Sequence, residues 1–78
     1  MLTVKTLIVI PAFNEAENLQ ALLPKLTAAV DFDILVVNDL SQDETVEVVK
    51  YNDIKCLSLP IQLGAWGATQ TGIRYALK

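Results

Sequence analysis

The feature that most constrains this chain is the way its apolar runs end. Ile10-Pro11-Ala12-Phe13-Asn14-Glu15-Ala16-Glu17-Asn18-Leu19 and Val36-Val37-Asn38-Asp39-Leu40-Ser41-Gln42-Asp43-Glu44-Thr45 each pass from aliphatic residues into acidic and polar ones. That is the pattern of a buried strand handing over to a helix. In a parallel sheet such handovers line up at the carboxyl ends of the strands, where open α/β sheets bind ligands. Glu15 and Asp39 are therefore expected to face one shared pocket.

The pattern continues through the chain. Lys5–Ile10 and Asp33–Asn38 are continuously apolar, as expected of strands covered on both faces. Ile54–Leu59 is less uniform and suits an edge. Leu19, Leu22, Leu23, Leu26 and Val30 recur at helical spacing after the first strand, with Pro24 expected to kink or restart that helix. Asn14 with Glu17, and Ser41 with Glu44, have the spacing of capping boxes, and Val46 and Val49 give a short second helix its core face. Gly64 to Leu77 reads as a third helix. Its small residues Ala65, Ala68, Gly72 and Ala76 would approach the sheet, while Trp66, Ile73 and Leu77 fill the neighbouring groove.

The order β-α-β-α-β-α with right-handed crossovers predicts an α/β fold, a three-layer α/β/α Rossmann-like arrangement with parallel strands in the order 3-2-1. The first strand then lies at an open edge, which is a pairing liability. The last helix runs to Lys78 without a cap. Both features predict that residues 1–78 form a single domain that is the first part of a larger sheet, or one that pairs with a second copy as a homodimer through that edge.

Composition removes several functions. Seventy-eight residues, 53% of them hydrophobic, can form one small core, and the net charge of −3 leaves no basic stripe for nucleic acid. There is no histidine and one cysteine, so a zinc site, a Ser-His or Cys-His pair and an internal disulfide are excluded. Cys56 reads as a small strand hydrophobe. No apolar run is long enough to span a bilayer and no signal-peptide layout is present, which makes the cytoplasm the expected compartment.

Pro11-Ala12-Phe13-Asn14-Glu15 is neither a dinucleotide-binding glycine motif nor a P-loop, and it supplies only part of a receiver domain's acidic site. Phe13 can pack against a base or into the core. Glu15 can complement a helix dipole or accept from ribose hydroxyls. Asp39 is surplus to the capping oxygens expected from Ser41 and Asp43, which favours a contact with a base N–H. The glycines of Gln62–Ala76 would bring a ligand close to a helix N-terminus, although close packing explains Gly72 better.

Taken in order, the three segments resemble the family-2 glycosyltransferases, which have the GT-A fold. The first is similar to IPAYNE-x-E-N-[LI], and Val36 to Thr45 to VV(N/D)DGS-x-D-x-T. Leu63 to Ala76 is similar to LG-x-GGA-x-QTG-x-x-YA of the branch that acts with polyprenyl phosphates. The resemblance implies a UDP- or GDP-linked sugar as ligand. Pro11, Ala12 and Phe13 would line the base, Glu15 the ribose and Asp39 the base edge, with Gly64 and Gly67 beside the base. It also implies a Mg or Mn ion and a polyprenyl phosphate acceptor for the full enzyme, placed at the cytoplasmic membrane face. The Asp-x-Asp metal motif and the catalytic carboxylate are expected beyond Lys78, because Asp31-Phe32-Asp33 precedes the second strand at the opposite edge of the sheet. No catalytic residue and no metal ligand is thus expected here. Leu40 stands where the family has glycine, at a backbone position suited to positive φ, and Trp66 stands where it has a small residue. Both would narrow the pocket.

Overall fold

The computed structural model describes residues 6–77. Strands and helices alternate as β1 (Leu7–Ala12), α1 (Ala16–Ala29), β2 (Asp33–Asn38), α2 (Thr45–Tyr51), β3 (Lys55–Ser58) and α3 (Gly64–Ala76). The sheet is parallel with β2 in the middle and order β1-β2-β3, as the sequence predicts. Ala12 stands opposite Asn38 and Asn38 opposite Ser58, so the three strands end level. That flush edge places three loops side by side.

The first strand begins two residues later than expected, and Lys5 lies outside the described residues. It also runs on through Pro11 and Ala12, with Pro11 opposite Val37. A proline fits here because β1 is an edge strand, where a missing N–H need not interrupt the ladder.

Successive strand residues face opposite ways, and each face has its own core. Val36, Ala12 and Val49 pack with Leu19 and Leu23 of α1 on one side. Leu35, Val37 and Leu59 pack with Ala68 of α3 on the other. Val36 and Val37 are both fully buried although they are neighbours in sequence. A strand covered on both sides must be apolar at every position, hence the continuous run in β2. Cys56 packs against the first cluster as a small hydrophobe, and burial pushes its thiol pKa up.

Helix α1 passes through Pro24 as one element. The carbonyl deprived of a partner belongs to Gln20, and both residues are exposed, so water can take its place. Thr27 Oγ1 donates to the carbonyls of Leu23 and Pro24 just beyond. Helix α3 meets the sheet face through Ala68 and Gly72, with Tyr75 packed beside them, whereas Ala65 and Ala76 are exposed. Trp66, Ile73 and Leu77 do not fill a groove. They are exposed, Trp66 by 72%. The missing side chain at Gly72 brings the helix backbone down onto β1 and β2, and Trp66, Ile73 and Leu77 are left outside that contact.

Leu40 follows β2 with φ of 58°, a left-handed conformation. For a non-glycine residue this costs about 1–2 kcal/mol. Leu40 is half exposed, so little packing offsets the strain. Leu40→Gly should therefore raise stability by about 0.5–1 kcal/mol once glycine's extra unfolded-state entropy is subtracted. A higher midpoint in thermal unfolding checks this.

Candidate functional site

The end of β1 and its loop, the first turns of α1, Asp39 after β2 and Ala65 of α3 surround a pocket of about 400 Å³ at the carboxyl edge of the sheet. Pro11, Ala12, Phe13, Glu15 and Asp39 lie on its wall together with Asn18, Leu22 and Ala65. Gly64 and Gly67 do not line it, although Ala65 between them does. Trp66 and Leu40 are also absent from the wall, so neither narrows it. A roomier groove of about 740 Å³ lies at the opposite end, among Leu7, Phe32, Asp33 and Lys55. The carboxyl-edge pocket is the better candidate, because open α/β sheets bind ligands at the carboxyl ends of their strands, where the helix N-termini converge.

Phe13 is 42% exposed beside this pocket, not in the core. Strand β1 ends at Ala12, so the next side chain leaves the sheet over its rim. Glu15 is the N-cap of α1, not a residue of its first turn, and its Oε2 accepts from Asn18 Nδ2 at 2.6 Å. Asn18 thus steers a carboxylate that lines the pocket, a pairing three residues apart that the sequence reading missed.

Asp39 is not the surplus group the sequence suggested. It is buried, with 2% exposure, and its two oxygens accept from the Leu63 N–H at 2.7 Å and the Gly64 N–H at 2.8 Å. The carboxylate closes the start of α3, where a negative charge also complements the helix dipole. Gly64 has φ of 79°, a conformation glycine adopts without strain, and this turns its N–H toward Asp39. These glycine-loop N–H groups are consequently engaged by the protein's own anion, not left to attract a phosphate. Asn38 ties the neighbouring tips together by donating to Ser58 Oγ and accepting from the Ser41 N–H.

Neither expected capping box forms. Helices α1 and α2 have no side-chain hydrogen bond from their own N-caps, Glu15 and Glu44. The start of α1 is capped instead from the loop after β2 and the first residue of α2. The Glu15 N–H donates to Thr45 Oγ1 at 3.1 Å and the Ala16 N–H to Asp43 Oδ2 at 3.1 Å. The Asn14 N–H donates to Ser41 Oγ, while Asn14 Oδ1 accepts from the Gln42 N–H. Asn14 has φ of 51°, a left-handed turn that asparagine tolerates. Asp43 Oδ1 also accepts from the Thr45 hydroxyl and N–H, so one carboxylate serves both helix starts.

The hydroxyl of Thr45, and further the N–H groups of Ala16 and Thr45, hold the Asp43 carboxyl below its ordinary pKa. A lowered folded-state value means the contribution is present at neutral pH and disappears as pH falls through it, below about pH 4. Thermal midpoints from pH 6 to pH 2.5 should fall more steeply for the wild type than for Asp43→Asn, and the gap at pH 6 should close in acid.

Chemically, the wall offers an aromatic face, an apolar strand tip and two carboxylates that accept hydrogen bonds. Among the described residues, no cluster of three or more His, Cys, Asp or Glu could hold a metal ion. Asp33 opens β2, and its Asp-x-Asp segment lies at the far end of the sheet. The described residues therefore do not fit a divalent metal site. Among them, no helix is long and apolar enough to cross a membrane.

Comparison with known proteins gives the geometry a family. The family model described as glycosyl transferase family 2 matches residues 7–78. Glycosyltransferase AglE of Haloferax volcanii is 35% identical over 75 residues, covering 85% of this chain and 25% of that protein. Dolichyl-phosphate beta-glucosyltransferase ALG5C of Trichomonas vaginalis is 32% identical over 84 residues, covering 88% and 25%. An uncharacterized protein of Methanocaldococcus jannaschii is 36% identical over 70 residues, covering 90% and 29%. The chain thus spans about a quarter of the length of these relatives. With its parallel sheet, its strand-end pocket and a family match over nearly all its residues, the chain belongs to glycosyl transferase family 2, whose fold is GT-A.

Proposed function

We propose that this chain is the nucleoside-binding, amino-terminal part of a GT-A glycosyltransferase domain that uses a UDP- or GDP-linked sugar. One observation carries the reading. Pro11, Ala12, Phe13, Glu15 and Asp39, which two separate sequence segments supply, meet on a single pocket at the strand ends. In it Phe13 packs on the face of the base, Glu15 accepts from the ribose hydroxyls, and Asp39 offers its remaining lone pairs to the base edge. The likeness to a protein named as a dolichyl-phosphate glucosyltransferase favours a polyprenyl phosphate as the acceptor of the complete enzyme. Metal binding, diphosphate binding and sugar transfer belong on this reading to residues outside the chain, and residues 1–78 alone are inactive.

Titration of the chain with UDP and GDP, followed by amide NMR, tests this. Weak binding, in the millimolar range of about −4 kcal/mol, should shift the Phe13, Glu15, Asp39 and Ala65 resonances. No shift at these positions, or sugar transfer by the chain alone, would overturn the reading. A second reading, self-association through β1, draws support from its position at the sheet edge. Sedimentation as a monomer at high concentration counts against it.

A further inference from the structure

We propose that Thr45 and Asp43 are positioning residues for nucleoside recognition: they set the place of Glu15 by capping α1 from the neighbouring loop. The role rests on the nucleoside reading above. Neither residue lines the pocket, and each lies near 30 positions from the backbone it holds.

The argument starts with the unsatisfied groups of a helix start. The first N–H groups of any helix lack partners within it, and a local side chain usually supplies one. Here Glu15 occupies the N-cap, and its carboxylate is turned to Asn18, leaving its own helix start uncapped. The vacancy is filled by the Thr45 hydroxyl on the Glu15 N–H and the Asp43 carboxylate on the Ala16 N–H. Asp43 also accepts from the Thr45 hydroxyl, which fixes that hydroxyl's proton and leaves its lone pairs for Glu15. Thr45 is fully buried, so its position is set by the core of α2, with Val49 one turn further along.

The placement has a direct consequence at the pocket. Glu15 hangs on a turn whose backbone is fixed at Asn14, Glu15 and Ala16 by three donors aimed at Ser41, Thr45 and Asp43. The functional carboxylate is free of capping duty because other residues perform it. A recognition group held within about 0.5 Å by a supporting shell binds without first being ordered.

The test compares four variants by NMR titration with UDP and GDP, each beside its thermal unfolding curve. Thr45→Val keeps the shape and removes the hydroxyl, Thr45→Ser keeps the hydroxyl, and Asp43→Ala removes the second cap. Val49→Ala lowers stability from the same helix without touching the caps. Thr45→Val and Asp43→Ala should weaken binding about tenfold. Thr45→Ser should bind like the wild type, and Val49→Ala should keep its affinity while its midpoint falls. Wild-type affinity in Thr45→Val, or an equal loss in Val49→Ala, would overturn the proposal. Absence of binding by the wild type itself would instead remove the nucleoside reading, and the positioning role with it.

Discussion

Asp39→Ala should cost about 2–3 kcal/mol and release helix α3 before the sheet opens. The carboxylate is buried at the end of β2, and its two oxygens hold the first two N–H groups of the α3 start. Hydrogen bonds to a charged group each contribute about 1.5–3 kcal/mol, and truncation strands both donors at once. Leu63 and Gly64 are themselves exposed, so water recovers part of that loss and keeps the total near the lower sum. For a chain of this size a 2–3 kcal/mol loss lowers the thermal midpoint by roughly 10–20 °C. Hydrogen exchange locates the effect. Amides in the first turn of α3 should lose protection while those of Leu35 to Val37 keep theirs. Asp39→Asn should fall between, because the amide keeps one acceptor but turns a donor toward one of the two N–H groups.

Gly72 carries the second large effect, and its sign is the informative part. In an ordinary helix, Gly→Ala gains about 1 kcal/mol. A Cβ at Gly72 would stand 2.6 Å from Val9 Cγ1 and 2.8 Å from Val37 Cγ2. Both neighbours are β-branched, hence stiff at χ1, and both sit on paired strands, so neither can turn aside. The helix must lift instead, at a cost of about 1–3 kcal/mol for added core volume. With two overlaps below 3.0 Å the upper part of that range applies, about 2–3 kcal/mol. Gly72→Ala should consequently destabilise by about 1–2 kcal/mol net of its better helix propensity, and Gly72→Val by about 3 kcal/mol or more. In urea unfolding the midpoint should fall while the slope stays the same. Stabilisation by alanine would mean that α3 does not rest on β1 and β2 as described.

Much of the architecture was legible from runs and spacings because it depends on burial. Strand β2 had its limits and its apolar continuity in plain view, since a strand covered on both faces has no polar position to blur the signal. The strand order followed from short, right-handed connections. The helix starts were not legible, because a capping box records only local spacing. Asn14 and Glu17 have the spacing, yet it is the oxygens of Ser41, Asp43 and Thr45 that take the N–H groups of Asn14, Ala16 and Glu15 across the level strand ends. Asp39 was misread for the same reason, as its partners lie more than 20 residues away in a loop whose course only the fold fixes. On α3 the small-residue spacing was half right, since Ala68 and Gly72 touch the sheet while Ala65 and Ala76 are exposed. It could not show that Gly72 would draw the helix so close that Trp66 and Ile73 are left outside. The pocket fared better than its details. Pro11 to Glu15 and Asp39 share a wall because the two strands that deliver them end in register, whereas the glycines of α3 do not reach it.

The cross-loop caps also bear on the order in which the chain can acquire its shape. A growing polypeptide completes Ala16 to Ala29 well before Asp43 and Thr45 exist. Until then the partners that close the start of α1 in the fold are missing, and isolated helices of this length are marginal in water. The first turn of α1 becomes permanent only after β2 has been laid beside β1 and the following loop has arrived. The Glu15 N–H thus takes its partner from a residue made 30 positions later in the chain.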